Sequence, residues 1–231
     1  EVKTAANGEQ GMEQALNSIP DIIVSDIMMP VMNGIMMCKI LKEDVRTSHI
    51  PIILLTAKDS LQDKEEGYQV GADSYLTKPF SATLLHSRIN NLLESRKRLT
   101  ERFNTSTPHH NMDEKRALLA ESLNKLDNEF IEKINQLIEA RLSSEKIDIG
   151  YLADNMCMSK STLYRKMKAL TGLSTNEYVR KIKMQHAERL LLEGRYNISE
   201  VAFRVGINSV VYFRQCFKEE FGVLPSEYLK Q

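Results

Sequence analysis

The chain has 231 residues, of which 42% are hydrophobic and 27% are charged, and its 31 basic and 31 acidic side chains cancel to a net charge of zero. This length suits two modest folded cores joined by a linker. The sequence contains no apolar run long enough to cross a membrane and no recognisable signal peptide, which predicts a cytoplasmic location with no membrane contact. Its three cysteines form no CxxC motif and fit a reducing compartment rather than a disulfide-stapled secreted protein.

The charge is distributed unevenly along the chain. Residues 1–95 carry 8 Lys and Arg against 13 Asp and Glu, a net charge of −5, and residues 96–140 carry 8 of each. Residues 141–231 carry 15 basic against 10 acidic side chains, a net charge of +5. A basic end attracts the phosphate backbone of nucleic acids, although a charge of this size does not by itself prove binding.

Near the start, an apolar run ends at a carboxylate. The segment leading to Asp26 indicates a buried parallel strand, and the chain then turns through Pro30 into a helix that begins at Gly34. Open α/β sheets place their chemistry at the carboxyl ends of such strands, so Asp26 is a candidate reacting group. The alternative is that Asp26 only caps a helix or forms an Asx turn.

Two more strands follow, each ending in a polar side chain. Residues 51–57 run into Thr56, and residues 72–80 run into Lys78, which precedes a proline. Helical patterns over residues 34–43, 61–70 and 81–102 separate or follow the strands, which predicts βαβ units and a parallel sheet. Asp26, Thr56 and Lys78 would then emerge at one edge, although singly Thr56 fits a strand-end hydrogen-bond donor and Lys78 a solvated loop charge.

These segments together resemble the receiver domain of two-component response regulators, over roughly residues 1–95. The resemblance is carried by Ser25–Pro30 with Gly34, Leu55–Ala57, Gly71–Tyr75 and Lys78–Phe80. It implies a flavodoxin-like α/β fold in which Asp26 accepts a phosphoryl group from a histidine kinase domain. It also implies Mg²⁺ held by Asp26 and the backbone carbonyl of Met28, with Lys78 and Thr56 on the phosphoryl oxygens and Tyr75 as a switch. A homodimer is expected on phosphorylation, through the face that contains Tyr75.

The family pattern is not complete. Its first strand and helix, with the acidic pair that helps to bind Mg²⁺, have no counterpart, because Val2–Ala6 resembles the second strand and Glu1 and Glu9 do not match the pair. The chain is therefore interpreted as part of a longer protein, possessing a receiver without its first strand and helix. We expect the Val2–Ala6 strand to pair in a non-native place or fray, and Mg²⁺ binding to be doubtful.

The middle of the chain has a different character. Residues 96–126 are predicted as a partly helical linker, whose His109 and His110 lack partners at metal-ligand spacing. Residues 112–142 have a helical pattern, with Asp127 as the predicted N-cap of an apolar stripe that starts at Phe130. A dimerising coiled coil is the alternative to a helix packed on its own domain.

From residue 147 one pattern occurs twice. Each copy has a short helix with a central alanine (Ala153 or Ala202), a tight turn, a serine cap and a second helix that carries Tyr and basic residues. Gly206 suits a left-handed turn position, which Cys157 occupies in the first copy. This arrangement is typical of helix-turn-helix units, and an amphipathic helix over residues 177–192 separates the two.

Residues 127–231 resemble the AraC-type DNA-binding domain, an all-α domain with two helix-turn-helix units. The two copies carry this resemblance, with closing segments Leu170–Ser174 and Phe221–Tyr228. It implies that two recognition helices enter successive major grooves of double-stranded DNA. The residues expected at the DNA are Lys160, Ser161, Tyr164, Arg165, Lys168, Ser209, Val210, Val211, Arg214, Gln215 and Lys218.

Within that set the chemistry differs between the two helices. Arg165 is expected to read guanine, whereas Val210 and Val211 can contact only thymine methyls or sugars, so the second unit should discriminate less. Lys160, Lys168 and Lys218 would bind phosphates, and Leu163, Met167, Phe213 and Phe217 are expected in the core.

The whole chain resembles the carboxy-terminal end of a hybrid two-component sensor. The predicted function is a phosphorylation-controlled transcription regulator that is not itself an enzyme. The alternative is a phosphoryl-accepting relay module whose helical domain binds protein rather than DNA.

Overall fold

The computed structural model describes residues 1–57, 70–104, 123–143 and 147–229. These residues form two compact units. The described part of the first comprises residues 1–57, 70–100 and 123–127, and that of the second comprises residues 101–104, 128–143 and 147–229. The division into residues 1–95, 96–126 and 127–231 stays a prediction.

The first unit has three parallel strands with helices between and after them. Its elements are α1 (Gly8–Ser18), β1 (Ile23–Asp26), α2 (Gly34–Glu43), β2 (Ile52–Thr56), β3 (Ser74–Thr77) and α3 (Ala82–Asn104). The sheet order is β1-β2-β3, and both pairs of neighbours are parallel. This confirms the predicted α/β class, and the helix predicted over residues 61–70 lies outside the described residues.

The core of the first unit forms where the sheet meets α1 and α2. Ile52, Ile53 and Leu54 of β2 are fully buried and Leu55 is half-buried, as expected for a strand in the middle of a parallel sheet. Asn33 caps α2 by accepting the backbone N–H of Met36 at 2.7 Å. The buried cluster contains Ala15, Ile27, Met37, Cys38, Leu41, Ile52, Leu54 and Ala72.

The beginning of the chain is frayed, which is one of the two outcomes expected for it. No strand forms over Val2–Ala6, and the side chain of Val2 is 90% exposed. Two backbone groups of this segment bond to side chains of the following helix instead: the N–H of Ala6 donates to Gln10 at 3.1 Å, and the carbonyl of Thr4 accepts from Gln14 at 2.9 Å. Helix α1, which was not predicted, follows and is capped by Asn7, whose side chain accepts the N–H of Gln10 at 3.0 Å.

The second unit is all-helical, as predicted. It contains α4 (Lys125–Glu139) from Asn128 onward, α5 (Ile149–Asn155), α6 (Lys160–Thr171), α7 (Thr175–Leu192), α8 (Ile198–Arg204), α9 (Val210–Phe221) and α10 (Pro225–Tyr228). The pairs α5–α6 and α8–α9 are the two predicted helix-turn-helix units, and α7 is the long helix between them. The predicted core residues Leu163, Met167, Phe213 and Phe217 are all buried.

The prediction that Asp127 caps helix α4 is wrong. The helix begins at Lys125, and the side chain of Asn124 accepts the backbone N–H of Asp127 at 2.8 Å. Asp127 lies in the first helical turn, where its buried carboxylate accepts a hydrogen bond from the Ser48 hydroxyl at 2.7 Å. Both residue types are good caps, but an N-cap accepts an N–H two or three residues after it, and the side chain of Asn124 does this for Asp127.

Both helix-turn-helix turns pass through the left-handed region of backbone space. Gly206 has φ of 65° and Cys157 has φ of 53°. The small residues Ala153 and Ala202 are buried beside these turns and accept backbone N–H groups from Met158 and Ile207, each at 2.9 Å. The sequence pattern therefore placed both turns correctly.

Candidate functional site

Three polar residues predicted at the sheet edge end three adjacent parallel strands. Asp26 is the last residue of β1, Thr56 is the last of β2, and Lys78 follows β3 directly. The strand register pairs Asp26 with Leu55 and Thr56 with Thr77. The carboxyl ends of the strands thus bring these residues to one edge.

The structure brings Asp26 and Lys78 into direct contact. The Lys78 ammonium donates a hydrogen bond to Oδ2 of Asp26, although β1 and β3 are separated by β2. Two strand spacings amount to about 10 Å, a gap that the Lys78 and Asp26 side chains bridge together. The two side chains are 34% and 43% exposed, so this ion pair adds little to stability and is free to exchange for another anion.

Thr56 and Tyr75 lie deeper than the ion pair. Thr56 is buried, and its hydroxyl donates to the carbonyl of Ala57 at 3.2 Å. Tyr75 pairs with Leu54 across the strands, its ring packs against the buried cluster of the first unit, and its hydroxyl oxygen is buried. The structure therefore places the switch candidate in an inward position.

The loop after Asp26 is held by close backbone approaches. A Cβ added at Gly34 would lie 2.2 Å from the carbonyl oxygen of Asp26, so only glycine fits there. The backbone N–H of Gly34 donates to the carbonyl oxygen of Ile27 at 3.0 Å, and the backbone N–H of Met28 donates to Oδ1 of Asp26 at 3.3 Å. Sequence reasoning used Gly34 as a turn residue and missed its role in holding the Asp26 backbone.

Magnesium fits these residues poorly. The donors at this edge are the carboxylate of Asp26, already bonded to Lys78 and Met28, and the Met28 carbonyl. Within residues 1–57, 70–104, 123–143 and 147–229, no group of three or more His, Cys, Asp or Glu side chains is placed to hold a metal ion. One carboxylate and one carbonyl would supply only two of the ligands of an octahedral Mg²⁺ ion.

The second candidate site is formed by the two recognition helices, α6 and α9. The two helices can be aligned position by position, because they have the same length and the same capping residues. Each has 12 residues, starts after a serine N-cap (Ser159 or Ser209) and ends at a left-handed glycine (Gly172 or Gly222). Position n of α6 therefore corresponds to position n + 50 of α9. Buried positions match across this offset: Leu163 with Phe213, and Met167 with Phe217.

The residues predicted to contact DNA lie on the outer face of each helix. In α6 they share one helical stripe and are all exposed: Lys160, Ser161, Tyr164, Arg165 and Lys168. In α9 the equivalent positions are Val210, Val211, Arg214, Gln215 and Lys218; Val210 is half-buried and the rest are exposed. Ser209 is the N-cap, whose hydroxyl accepts the N–H of Tyr212 at 3.3 Å.

The second recognition helix takes part in polar contacts within the chain. Gln215 donates its amide to Glu219 at 3.1 Å, and Glu219 in turn lies 3.6 Å from the Arg180 guanidinium of α7. Contact with the Cys216 sulfur and burial raise the pKa of Tyr212, against an opposing effect of Arg180. Sequence reasoning missed the basic residues of α7, because basic side chains are common on amphipathic helices and give no signal of a partner.

No helix in the described part of the chain combines the length and the apolar composition needed to span a bilayer.

Two family models match the chain, and they cover its two ends. A response regulator receiver domain matches residues 1–90, and a helix-turn-helix domain matches residues 152–231. The chain is 35% identical over 97% of its length to histidine kinase P4 of Formosa agariphila, and 42% identical over 40% of its length to the response regulator PleD of Caulobacter vibrioides. It spans only 16% of the first protein and 20% of the second.

A solved structure similar to the helical end is the carboxy-terminal domain of AraT, a response regulator from Geobacillus stearothermophilus. The similarity covers 44% of this chain and 84% of that one, at 31% identity and a TM-score of 0.41.

Proposed function

We propose that the chain binds specific double-stranded DNA under the control of phosphorylation at Asp26. The basis is its domain order, a response regulator receiver domain followed by an AraC-type helix-turn-helix domain, which is the domain pair of a two-component transcription factor. The observation that carries the DNA half is the repeated recognition helix, with equal length, equal caps and an outward polar stripe in both copies. The net charge of +5 over residues 141–231 also favours DNA over a protein partner.

The two recognition helices would differ in how strongly they discriminate between bases. Arg165 is exposed on α6 and would read guanine, which would disfavour a wrong base at that position by about 1–3 kcal/mol. Val211 is 77% exposed near the start of α9 and offers only an apolar contact, which suits a thymine methyl group. Lys160, Lys168 and Lys218 would neutralise phosphates on either side.

A salt titration of DNA affinity tests this half of the proposal. The full chain is titrated against duplexes selected from a randomised library, and the logarithm of its affinity is plotted against that of salt concentration. Lys168→Gln should reduce the steepness of this plot by about 0.9, the value of one phosphate contact. Lys133→Gln is the matched control, since Lys133 is an exposed lysine of α4 outside both recognition helices. A flat plot for the unaltered chain would favour the protein-binding alternative.

The phosphoryl half of the proposal rests on the contact between Asp26 and Lys78. An oxygen of the Asp26 carboxylate would attack the phosphorus of a phosphohistidine, and the P–N bond would break as the imidazole leaves with the electron pair and takes up a proton. Lys78 would then exchange its carboxylate contact for the new phosphoryl oxygens, and the Thr56 hydroxyl would turn toward them. The donor would be a histidine kinase domain.

A direct labelling experiment tests the acceptor. The full chain is incubated with a phosphohistidine donor protein in buffer containing Mg²⁺, and the modified peptide is located by mass spectrometry. We expect one phosphoryl group on Asp26, none on Asp26→Asn, and slower labelling of Lys78→Met. Labelling that survives in Asp26→Asn would refute the assignment.

Control of DNA binding would pass through Tyr75. Phosphorylation at Asp26 would alter how the Tyr75 ring packs against the buried cluster and would thereby change the face of β3 and α3, which is the proposed dimer contact. Phosphorylation would favour the dimer and raise DNA affinity. Equal DNA affinity of the phosphorylated chain and Asp26→Asn would overturn this control.

A further inference from the structure

The central helix α7 directs two buried lysines toward the second helix-turn-helix unit. The ammonium of Lys183 donates to the backbone carbonyl of Gly206, in the turn between α8 and α9, at 3.2 Å. The ammonium of Lys181 lies 3.6 Å from the carboxylate of Glu220 near the end of α9. Each lysine is only 5% exposed, so neither is available to bind DNA phosphates in this arrangement.

A third basic residue of α7, Arg180, also contacts helix α9. The Arg180 guanidinium lies 3.6 Å from the carboxylate of Glu219 and shares a hydrogen bond with the hydroxyl of Tyr212. Arg180, Lys181 and Lys183 thus hold α9 at three places: its preceding turn, its first turn and its last turn. We call these three residues, together with Glu219 and Glu220, the ionic clamp.

The first recognition helix carries no carboxylate at the positions equivalent to the two acidic residues of the clamp. By the offset of 50, Glu219 and Glu220 correspond to Ala169 and Leu170 of α6, neither of which can form an ion pair. Leu170 is buried and contributes apolar packing. Apolar packing is non-directional, whereas hydrogen bonds and ion pairs constrain direction and distance. At these two positions the second recognition helix therefore has a directional restraint that the first cannot form.

We propose that the ionic clamp positions the second recognition helix on α7 and thereby sets the spacing between the two DNA half-sites that the chain accepts. The inference rests on the proposed DNA binding and goes beyond it by assigning these residues to spacing rather than to base or phosphate contacts. Lys181 and Glu220 form the more enclosed pair, with side chains 5% and 20% exposed, so their attraction is less screened than that of a surface pair. They are positioning residues.

The test measures spacing preference rather than affinity alone. Duplexes are selected from a randomised library with the full chain, and binding is then compared between the selected duplex and one carrying one additional base pair between its half-sites. We expect the unaltered chain to prefer the selected spacing by about tenfold, as for a mismatched site. Glu220→Gln keeps the shape but loses the charge, and should lower that preference about threefold, on the scale of one ion pair. Lys183→Met should act in the same direction.

A charge-matched control separates positioning from general electrostatics. Glu193→Gln removes the same charge from an exposed residue that follows α7, and it should leave the spacing preference unchanged. If Glu220→Gln binds DNA with the full spacing preference, or if Glu193→Gln lowers it equally, the clamp is refuted while DNA binding stands. If the unaltered chain selects no duplex, DNA binding and the clamp both fail.

Discussion

Replacing Cys157 by glycine should stabilise the second unit. Cys157 has a left-handed φ of 53° in the first helix-turn-helix turn, where the second copy has Gly206 at 65°. A left-handed backbone costs a residue with a side chain about 1–2 kcal/mol, and glycine loses about 0.5–1 kcal/mol through greater freedom in the unfolded chain. Because the Cys157 side chain is exposed, little packing is lost. The net gain should be about 0.5–1 kcal/mol.

Thermal unfolding of the full chain measures this gain. For a unit of this size, about 0.5–1 kcal/mol raises the midpoint of the transition by about 2–8 °C. Cys157→Ala is the control, since it removes the thiol but keeps a Cβ in the left-handed backbone. The reciprocal change Gly206→Ala should destabilise the unit.

The glycine and alanine variants differ in backbone strain, which favours glycine, and in the entropy of the unfolded chain, which favours alanine. Equal melting temperatures for Cys157→Gly and Cys157→Ala would show that the strain in this turn does not exceed that entropy cost, and would refute the predicted gain. A gain in both would instead assign the effect to the thiol.

Three more outcomes are expected from individual side chains. Ser174→Ala should cost about 1 kcal/mol in thermal unfolding, because the Ser174 hydroxyl caps α7 by accepting the N–H of Glu177 at 3.3 Å. Burial and the positive charge of Arg189 lower the pKa of His186 in the folded chain below its ordinary value. The unfolded chain therefore takes up a proton more readily, so the free energy of unfolding should decrease as the pH falls from the ordinary pKa of histidine through its pKa in the folded chain. Melting curves at pH 7.5 and pH 5.5 should show this fall, reduced in His186→Gln. Burial raises the pKa of the Cys38 thiol to about 11, so peptide mapping after maleimide treatment at neutral pH should find Cys157 modified and Cys38 intact.

The sheet of the first unit was largely predictable because its signals are local. Apolar runs bounded by turn residues specify strands, and strands that alternate with helices specify a parallel arrangement. The polar residues at the strand ends then predicted that Asp26, Thr56 and Lys78 lie at one edge of the sheet. What the pattern did not predict was helix α1, whose signal is the single capping residue Asn7.

The repeat of the second unit was equally visible in the sequence. Alanine, a left-handed turn residue and a serine cap recur in order, and each has a local steric or hydrogen-bonding reason for its position. The start of α4 was misplaced because Asn124 and Asp127 are both good caps; Asn124 is the one whose side chain accepts a backbone N–H of the first turn, while Asp127 bonds Ser48, far away in the chain.

The sequence by itself determined the strands, the helices and the polar residues that end or line them, since backbone preference and hydrophobic period act over a few neighbours. Only the tertiary structure decided which charges meet: Lys78 with Asp26 across a strand, and Lys181 with Glu220 between helices. Basic side chains have the same sequence signature whether they face solvent, DNA or an acidic partner. Their environment is set by packing between segments distant in the chain, which local patterns do not encode.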